Sequence, residues 1–296
     1  MPMKVVVLMG GPSEECEVSK ATGAAVSAAC RSLGYDVLKL SFQDNYEALL
    51  PKLKNADIVF NALHGGMGEN GEIQAWMEGN LIVYTGSGPE ASELCMDKSR
   101  SKAVARNLGV KTADWELLHH VYETYSIGLP FVVKPNTQGS TVGLTVVHNK
   151  NEIKPAIKDA FVHGKSVMIE KYINGRELTV TVLGGRAYHI VEIQPSHNLY
   201  DYECKYTPGM SKYICPADLS PKLTNKIKRD TENIFKGLGC EVYGRADYLL
   251  ADDGQYFFLE MNTLPGMTDT SLVPKAVAAE GLSFEKLVKK IIELSQ

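Results

Sequence analysis

Arg245-Ala246-Asp247-Tyr248-Leu249-Leu250-Ala251-Asp252-Asp253-Gly254-Gln255-Tyr256-Phe257-Phe258-Leu259-Glu260-Met261-Asn262 reads as two strands around a turn. Apolar runs flank Asp252-Asp253-Gly254-Gln255, and Asp-Gly is a strong signal for a two-residue type I′ turn. With residues 253 and 254 as that turn, Asp247 falls opposite Glu260 and Arg245 opposite Asn262, all on one face. The other face is then Ala246, Tyr248, Leu250, Phe257, Leu259 and Met261, apolar throughout. Opposed carboxylates repel unless something positive stands between them. Oxygens from Asp, Glu and Asn suit Mg, which binds through one or two carboxylates together with substrate phosphates. A solvated charged face would explain the carboxylate pair alone. Asn262 and Arg245 beside it favour a metal and an anion. A slip of one residue would exchange the faces and undo the arrangement.

Outward from the hairpin, the last third holds two β-rich runs, Glu177–Leu183 and Tyr188–Gln194. A turn-rich stretch from 195 to 216 follows, then a helix over about 222–238 and an amphipathic terminal helix. That last helix sets Phe284, Leu287, Val288, Ile291 and Ile292 on one face, a core stripe. The first third differs. Strand runs Lys4–Met9, Tyr35–Ser41, Ile58–Leu63 and Leu81–Tyr84 alternate with helical stretches over 14–33 and 71–79. Such alternation predicts an α/β fold with a parallel sheet covered on both faces. Thr85-Gly86-Ser87-Gly88-Pro89 is the first candidate boundary. The middle, 87 to 175, is less regular, with a helical stretch Ser99–Leu108, the run Pro130–Lys134 and a strand candidate Ser166–Tyr172.

The chain has 296 residues, 31 basic and 35 acidic, and a net charge of −4. That balance speaks against a nucleic-acid binder, which needs a basic face to neutralise phosphates. At roughly 150 residues per domain, length alone suggests about two domains. The apolar run Val5–Met9 is too short for a membrane span or a signal-peptide core, so a cytoplasmic protein without a membrane partner is expected. Six cysteines without CxxC spacing read as free thiols packed as small apolar residues.

Glycine loops carry further signals. Gln138-Gly139-Ser140-Thr141-Val142-Gly143 follows an apolar run ending in Lys134-Pro135. Small residues let backbone N–H groups approach phosphate oxygens, and a nearby lysine adds a point charge. A structural turn explains the loop equally well by itself. No Walker A pattern exists, and Gly10-Gly11 does not complete GxGxxG. His64-Gly65-Gly66-Met67-Gly68-Glu69-Asn70-Gly71 ends a strand and opens a helix, the place where parallel sheets bind ligands. Glu14, Glu15 and Glu17 crowd the helix start after Gly10-Gly11, where the helix dipole alone would favour carboxylates.

Together these pieces resemble the D-alanine–D-alanine ligases of the ATP-grasp superfamily, along essentially the whole chain. The resemblance is carried by Gly10-Gly11 with Glu15 and Glu17-Val18-Ser19, Leu63-His64-Gly65 with Gly68-Glu69, Tyr84-Thr85-Gly86-Ser87-Gly88 and Met96-Asp97-Lys98. It continues through Val133-Lys134-Pro135, the 139–143 loop, Tyr200-Asp201-Tyr202 with Lys205-Tyr206, Gly244-Arg245 with Asp247, and Glu260-Met261-Asn262-Thr263 with Pro265-Gly266-Met267.

It implies three α/β domains: a parallel N-terminal domain over 1–86, a central subdomain over 87–175 and a C-terminal subdomain over 176–296. ATP would lie between antiparallel sheets of the last two. By the same resemblance Lys98 and Lys134 would contact phosphates, and Gly139 and Ser140 would cover them. Glu170, Lys171 and Ile173 would meet adenine, Glu177 the ribose, and Lys205 the γ-phosphate. Asp247, Glu260 and Asn262 would bind two Mg ions, with Mn the expected substitute. Glu15 would hold the ammonium of the first D-alanine and form a set with Ser140 and Tyr206, with His64 also at the substrates. Arg245 and the N–H of Gly266 would form the oxyanion site, and Ser271 and Leu272 would hold the second carboxylate. Two D-alanines would be joined through an acyl phosphate, for peptidoglycan precursors, by a homodimer.

Two rivals stand beside this. A D-alanine–D-lactate ligase carries phenylalanine at the loop position where this chain has Tyr206. A non-catalytic ATP-binding regulatory protein would not need Asp247, Glu260, Asn262 and Arg245 together. Cys16 and Asn70 depart from the arginine and aspartate frequent in the family, at positions given no chemical role.

Overall fold

Lys4–Gly10 forms β1, the centre of a parallel sheet, in a computed structural model that describes residues 1–43, 45–196, 207, 209–268 and 271–296. Its neighbours are β2 (Asp36–Phe42) and β3 (Ile58–Asn61), in the order β2-β1-β3. A strand at the centre of a parallel sheet is covered on both faces, which is why β1 is apolar at every position from Val5 to Met9. Val5, Val7 and Met9 point to one core, and Val6 and Leu8 to another with Leu40 and Ile73. The expected strand over 81–84 reduces to one bridge between Tyr84 and Val59. Helix α1 (Cys16–Ser32) packs on β1, and α2 (Leu50–Leu53) and α3 (Glu72–Gly79) bring Leu53, Ile73 and Met77 to the opposite face.

The turn-rich 85–89 segment leads into a helix, α4 (Pro89–Met96), opened by proline at its first position, and α5 (Lys98–Asn107) follows at once. Four antiparallel strands come next: β4 (Trp115–Leu118), β5 (Phe131–Pro135), β6 (Thr145–Val147) and β7 (Val167–Lys171), ordered β4-β7-β5-β6. Helix α6 (Lys150–His163) backs them. The sequence reading missed α6, although Asn149 and Glu152 form a capping box at its start. Pro155 inside it masks the helical pattern.

The third sheet is antiparallel and five-stranded, ordered β10-β9-β8-β11-β12. It comprises β8 (Arg176–Leu183), β9 (Arg186–Pro195), β10 (Ser211–Ile214), β11 (Tyr243–Leu250) and β12 (Tyr256–Asn262). Strand β10 lies within the stretch expected to be turns. Helix α7 (Pro221–Gly237) covers one face through Ile227, Ile234 and Phe235. Helices α8 (Leu272–Ala278) and α9 (Phe284–Leu294) return to the start of the chain. Leu287, Val288, Ile291 and Ile292 share one core with Val5, Val7 and Val26.

The β11–β12 hairpin pairs Asp247 with Glu260 and Arg245 with Asn262, as the sequence predicts, by a different route. The turn is not the expected two-residue I′ type. Ala251 N–H donates to Gln255 O, so residues 252–254 form a three-residue loop, with Gly254 at φ +80° in the left-handed region. That extra residue shifts the register of the outer pairs by one, so Tyr248 faces Phe258 and Leu250 faces Tyr256. A bulge at Leu259 restores it before Glu260. The core face is therefore Ala246, Tyr248, Leu250, Tyr256, Phe258 and Met261. Phe257 and Leu259, expected inside, turn the other way and are only half-buried.

Ile291 is fully buried between the last and first helices. Ile291→Ala should cost about 2–5 kcal/mol of unfolding free energy in urea titration. Exposed Lys286→Ala on the same helix should stay within about 0.5 kcal/mol.

Candidate active site

The four-stranded and five-stranded sheets face each other across a cavity. Lys98, Lys134, Gly139, Ser140, Glu170, Lys171, Ile173 and Glu177 all line it, together with Asp247 and Glu260. These are the expected nucleotide residues except Lys205. Lys205 and Tyr206 lie outside the described residues.

Lys98 is the first residue of α5, and its placement is local chemistry. Asp97 caps the helix by accepting from Arg100 N–H. The Asn136 side chain donates to Asp97 Oδ1 at 2.9 Å and accepts from Ser99 N–H at 2.9 Å. Lys98 Nζ then reaches Gln138 O at 2.6 Å and Glu260 Oε2 at 3.1 Å. One lysine thus ties the glycine loop to the hairpin carboxylate. In that loop Ser140 and Thr141 hold φ +49° and +66°, a strained left-handed pair without glycine. Such strain persists only where the surroundings impose it. Here Ser140 Oγ donates to Glu15 Oε1, across from the other end of the chain.

Glu170 lines the cavity with 3 % of its surface exposed. Lys134 Nζ meets its Oε2 at 2.5 Å, and Lys102 Nζ meets its Oε1 at 2.5 Å. Burial alone would push the Glu170 carboxyl up, but the two ammonium groups outweigh it and hold it below the ordinary range. Burial likewise pushes Lys102 down to about 8, against the pull of Glu170.

On the hairpin, Arg245 grips Asp247 with two bonds, Nε to Oδ1 at 2.9 Å and Nη2 to Oδ2 at 2.8 Å. Asp247 also accepts from Thr179 Oγ1 at 2.6 Å and Asn262 Nδ2 at 3.0 Å. Cations therefore stand at both carboxylates, Arg245 at Asp247 and Lys98 at Glu260. Among the described residues no three His, Cys, Asp or Glu side chains cluster as a metal site. The set is two carboxylates and an amide. Its all-oxygen donor chemistry fits Mg held jointly with substrate phosphates.

The residues expected at the substrates lie around β1 and β3. Gly65, at φ +66°, has no side chain, and a Cβ there would stand 2.8 Å from Glu15 Oε2. His64 is buried, with Nε2 3.0 Å from Thr22 Oγ1 and Nδ1 3.7 Å from Glu69 Oε1. Burial raises the Glu69 carboxyl above its ordinary range. His64 and Arg245 pull it back only in part, and Glu15 pushes it further up. Met267 N–H donates to the same Thr22 hydroxyl at 3.3 Å. Ser271 Oγ accepts from Thr268 N–H at 3.0 Å, and a Cβ on Gly266 would lie 2.8 Å from that Oγ. Leu272 opens α8 and is buried in the core.

Three polar residues escaped the sequence reading. Lys102 sits four residues after Lys98 on one helix face, a spacing that could have drawn attention. Glu69 belongs to the His64–Gly71 motif, but its approach to His64 is a matter of the folded loop. Nothing in the sequence marks Thr179, because its bond to Asp247 depends on the β8–β11 register.

Residues 102–293 match the family model described as D-ala D-ala ligase C-terminus. The chain is 43 % identical to a D-alanine--D-alanine ligase of Anaeromyxobacter sp. (strain K), covering 98 % of this chain and 96 % of that one. It superposes with a TM-score of 0.87 on a crystal structure of the D-alanine--D-alanine ligase of Bacillus anthracis complexed with ATP, at 33 % identity, covering 99 % and 97 % of the two chains. With the VanG D-Ala:D-Ser ligase of Enterococcus faecalis the TM-score is 0.85 at 28 % identity, over the full length of both. Three sheets in this arrangement make the ATP-grasp fold, and the chain belongs to the D-alanine–D-alanine ligase family.

Proposed function

We propose that this chain joins two D-alanines into D-alanyl-D-alanine for peptidoglycan precursors, releasing ADP and phosphate. The observation that carries this is the single cavity in which the nucleotide residues of both sheets meet Asp247 and Glu260, one bond away from Glu15 through Ser140. The family uses ATP and a divalent metal. Asp247, Glu260 and the Asn262 Oδ1 would hold two Mg ions, or Mn, which supply charge neutralisation to the transferred phosphoryl group when bound.

The remaining work falls to this chain's side chains. Glu170, Lys171 and Ile173 receive adenine and Glu177 the ribose, while Gly139 and Ser140 fold over the phosphates beside Lys98 and Lys134. Glu15 holds the ammonium of the first D-alanine, with His64 beside it. A carboxylate oxygen of that D-alanine attacks the γ-phosphorus, and the bond to ADP breaks. Lys98, Lys134 and Lys205 balance the charge. The second D-alanine, its ammonium first deprotonated, attacks the acyl carbon through nitrogen; the C–O bond breaks, and phosphate leaves with that electron pair and takes up the nitrogen's second proton. Arg245 and the Gly266 N–H stabilise the tetrahedral oxyanion. Ser271 and Leu272 hold the second carboxylate, and Tyr206 closes the set of Glu15 and Ser140. We place domain divisions after residues 86 and 175 and take the enzyme as a cytoplasmic homodimer. Among the described residues no helix is long and apolar enough to cross a membrane.

Purified protein with ATP and Mg should release phosphate on adding D-alanine, and far less with L-alanine, D-serine or D-lactate. No phosphate with D-alanine would end the ligase reading. Glu260→Ala should lower kcat by about 10³-fold, some 4 kcal/mol of transition-state stabilisation. Steady-state assays at rising Mg check this, and near-normal turnover would remove the metal role. Tyr206→Phe should raise D-lactate use relative to D-alanine in competition assays, and an unchanged ratio would take the tyrosine out of acceptor selection.

A further inference from the structure

Lys102 is the only lysine among the described residues with no exposed surface at all, and nothing in the reaction above uses it. Its ammonium has three partners. Nζ lies 2.5 Å from Thr112 Oγ1, 3.1 Å from Phe258 O and 2.5 Å from Glu170 Oε1. These come from the segment after α5, from β12 and from β7, so one charge joins the two sheets that face the nucleotide cavity. Such a group is costly to bury and persists only when well paired.

Glu170 needs that partner. Its Oε2 is taken by Lys134, which lines the cavity, while Oε1 is buried without a hydrogen-bond partner among the described residues and is held by the ion pair with Lys102. Without Lys102 a buried carboxylate oxygen would be stranded. Glu170 and Lys134 would then be free to move towards each other or towards water. Lys102 does not line the cavity. Taking the nucleotide pocket as assigned above, we propose that Lys102 is a positioning residue for ATP. From the side away from the ligand it pins Glu170, and through Glu170 it pins Lys134, in the geometry that receives the nucleotide.

The tests use the full-length enzyme with Mg. Lys102→Met keeps the length and removes the charge. It should raise KM for ATP about tenfold while KM for D-alanine changes less than about twofold. In a Glu170→Gln background the same substitution should add little to KM for ATP, because the group it positions no longer carries charge. A merely structural role predicts the reverse: additive losses, and equal shifts for both substrates. Either outcome overturns the proposal. Should Lys102→Met fail to fold, Thr112→Val loosens the same ammonium and should raise KM for ATP about threefold with the same split. An unchanged KM for ATP in that variant counts as refutation. Lys134→Ala separates the two levels. If it leaves KM for ATP unchanged, the pocket assignment itself fails. If it raises KM while Lys102→Met does not, only the role of Lys102 falls.

Discussion

Two carboxylates face each other across one antiparallel pair, Asp247 opposite Glu260, and the rest of the site is arranged to make that tolerable. Like charges in this position destabilise a sheet. Arg245 is clamped to Asp247, and Lys98 reaches Glu260 from a helix in another layer. Lys98 can do so only because Asp97 and Asn136 fix the first turn of α5. The cost of holding the pair together is thus met by one cation from the same sheet and one from a helix. The same positive charges that quiet the pair are those a polyphosphate needs. A chain of net charge −4 binds a polyanion because its cations are placed, whatever their sum.

A second ionic cluster lies deeper, with Glu170 between Lys134 and Lys102. The hairpin pair is open to ligand, whereas this one is sealed on its far side. The two clusters stand one helical turn apart, Lys98 and Lys102 of α5 serving one each, and differ in what they tolerate. The hairpin carboxylates are partly exposed, so a cation brought by a ligand can reach them. Full burial holds Glu170 and Lys102 to the partners they have.

The parallel sheet, the amphipathic last helix and the pairing of Asp247 with Glu260 were legible in the sequence, because each rests on short-range periodicity. The hairpin reading contained two errors that cancel. Residues 252–254 form a three-residue loop, and Leu259 bulges, so the register slips by one and slips back. Alternation alone cannot reveal a compensated slip. It shows only in Phe257 and Leu259, which left the core face. Helix α6 was hidden by Pro155 despite its capping box. Lys102 was invisible for a different reason: a buried lysine is identified by its partners, and Glu170 and Phe258 are far away along the chain. The fold name and the reaction rest on the resemblance of whole motifs to a known family, which the relatives bear out; composition and spacing do not contain them.

The first strand and the last helix share one core. During synthesis the apolar face carrying Val5, Val7 and Val26 leaves the ribosome long before Val288, Ile291 and Ile292 exist to cover it. At about 5–20 residues per second that interval lasts from about ten to about sixty seconds. The N-terminal sheet therefore waits, half-clothed, for the end of its own chain. A truncation that spared every residue of the active site but removed the last helix would leave that face bare, and would be expected to fail by aggregation before catalysis could be measured.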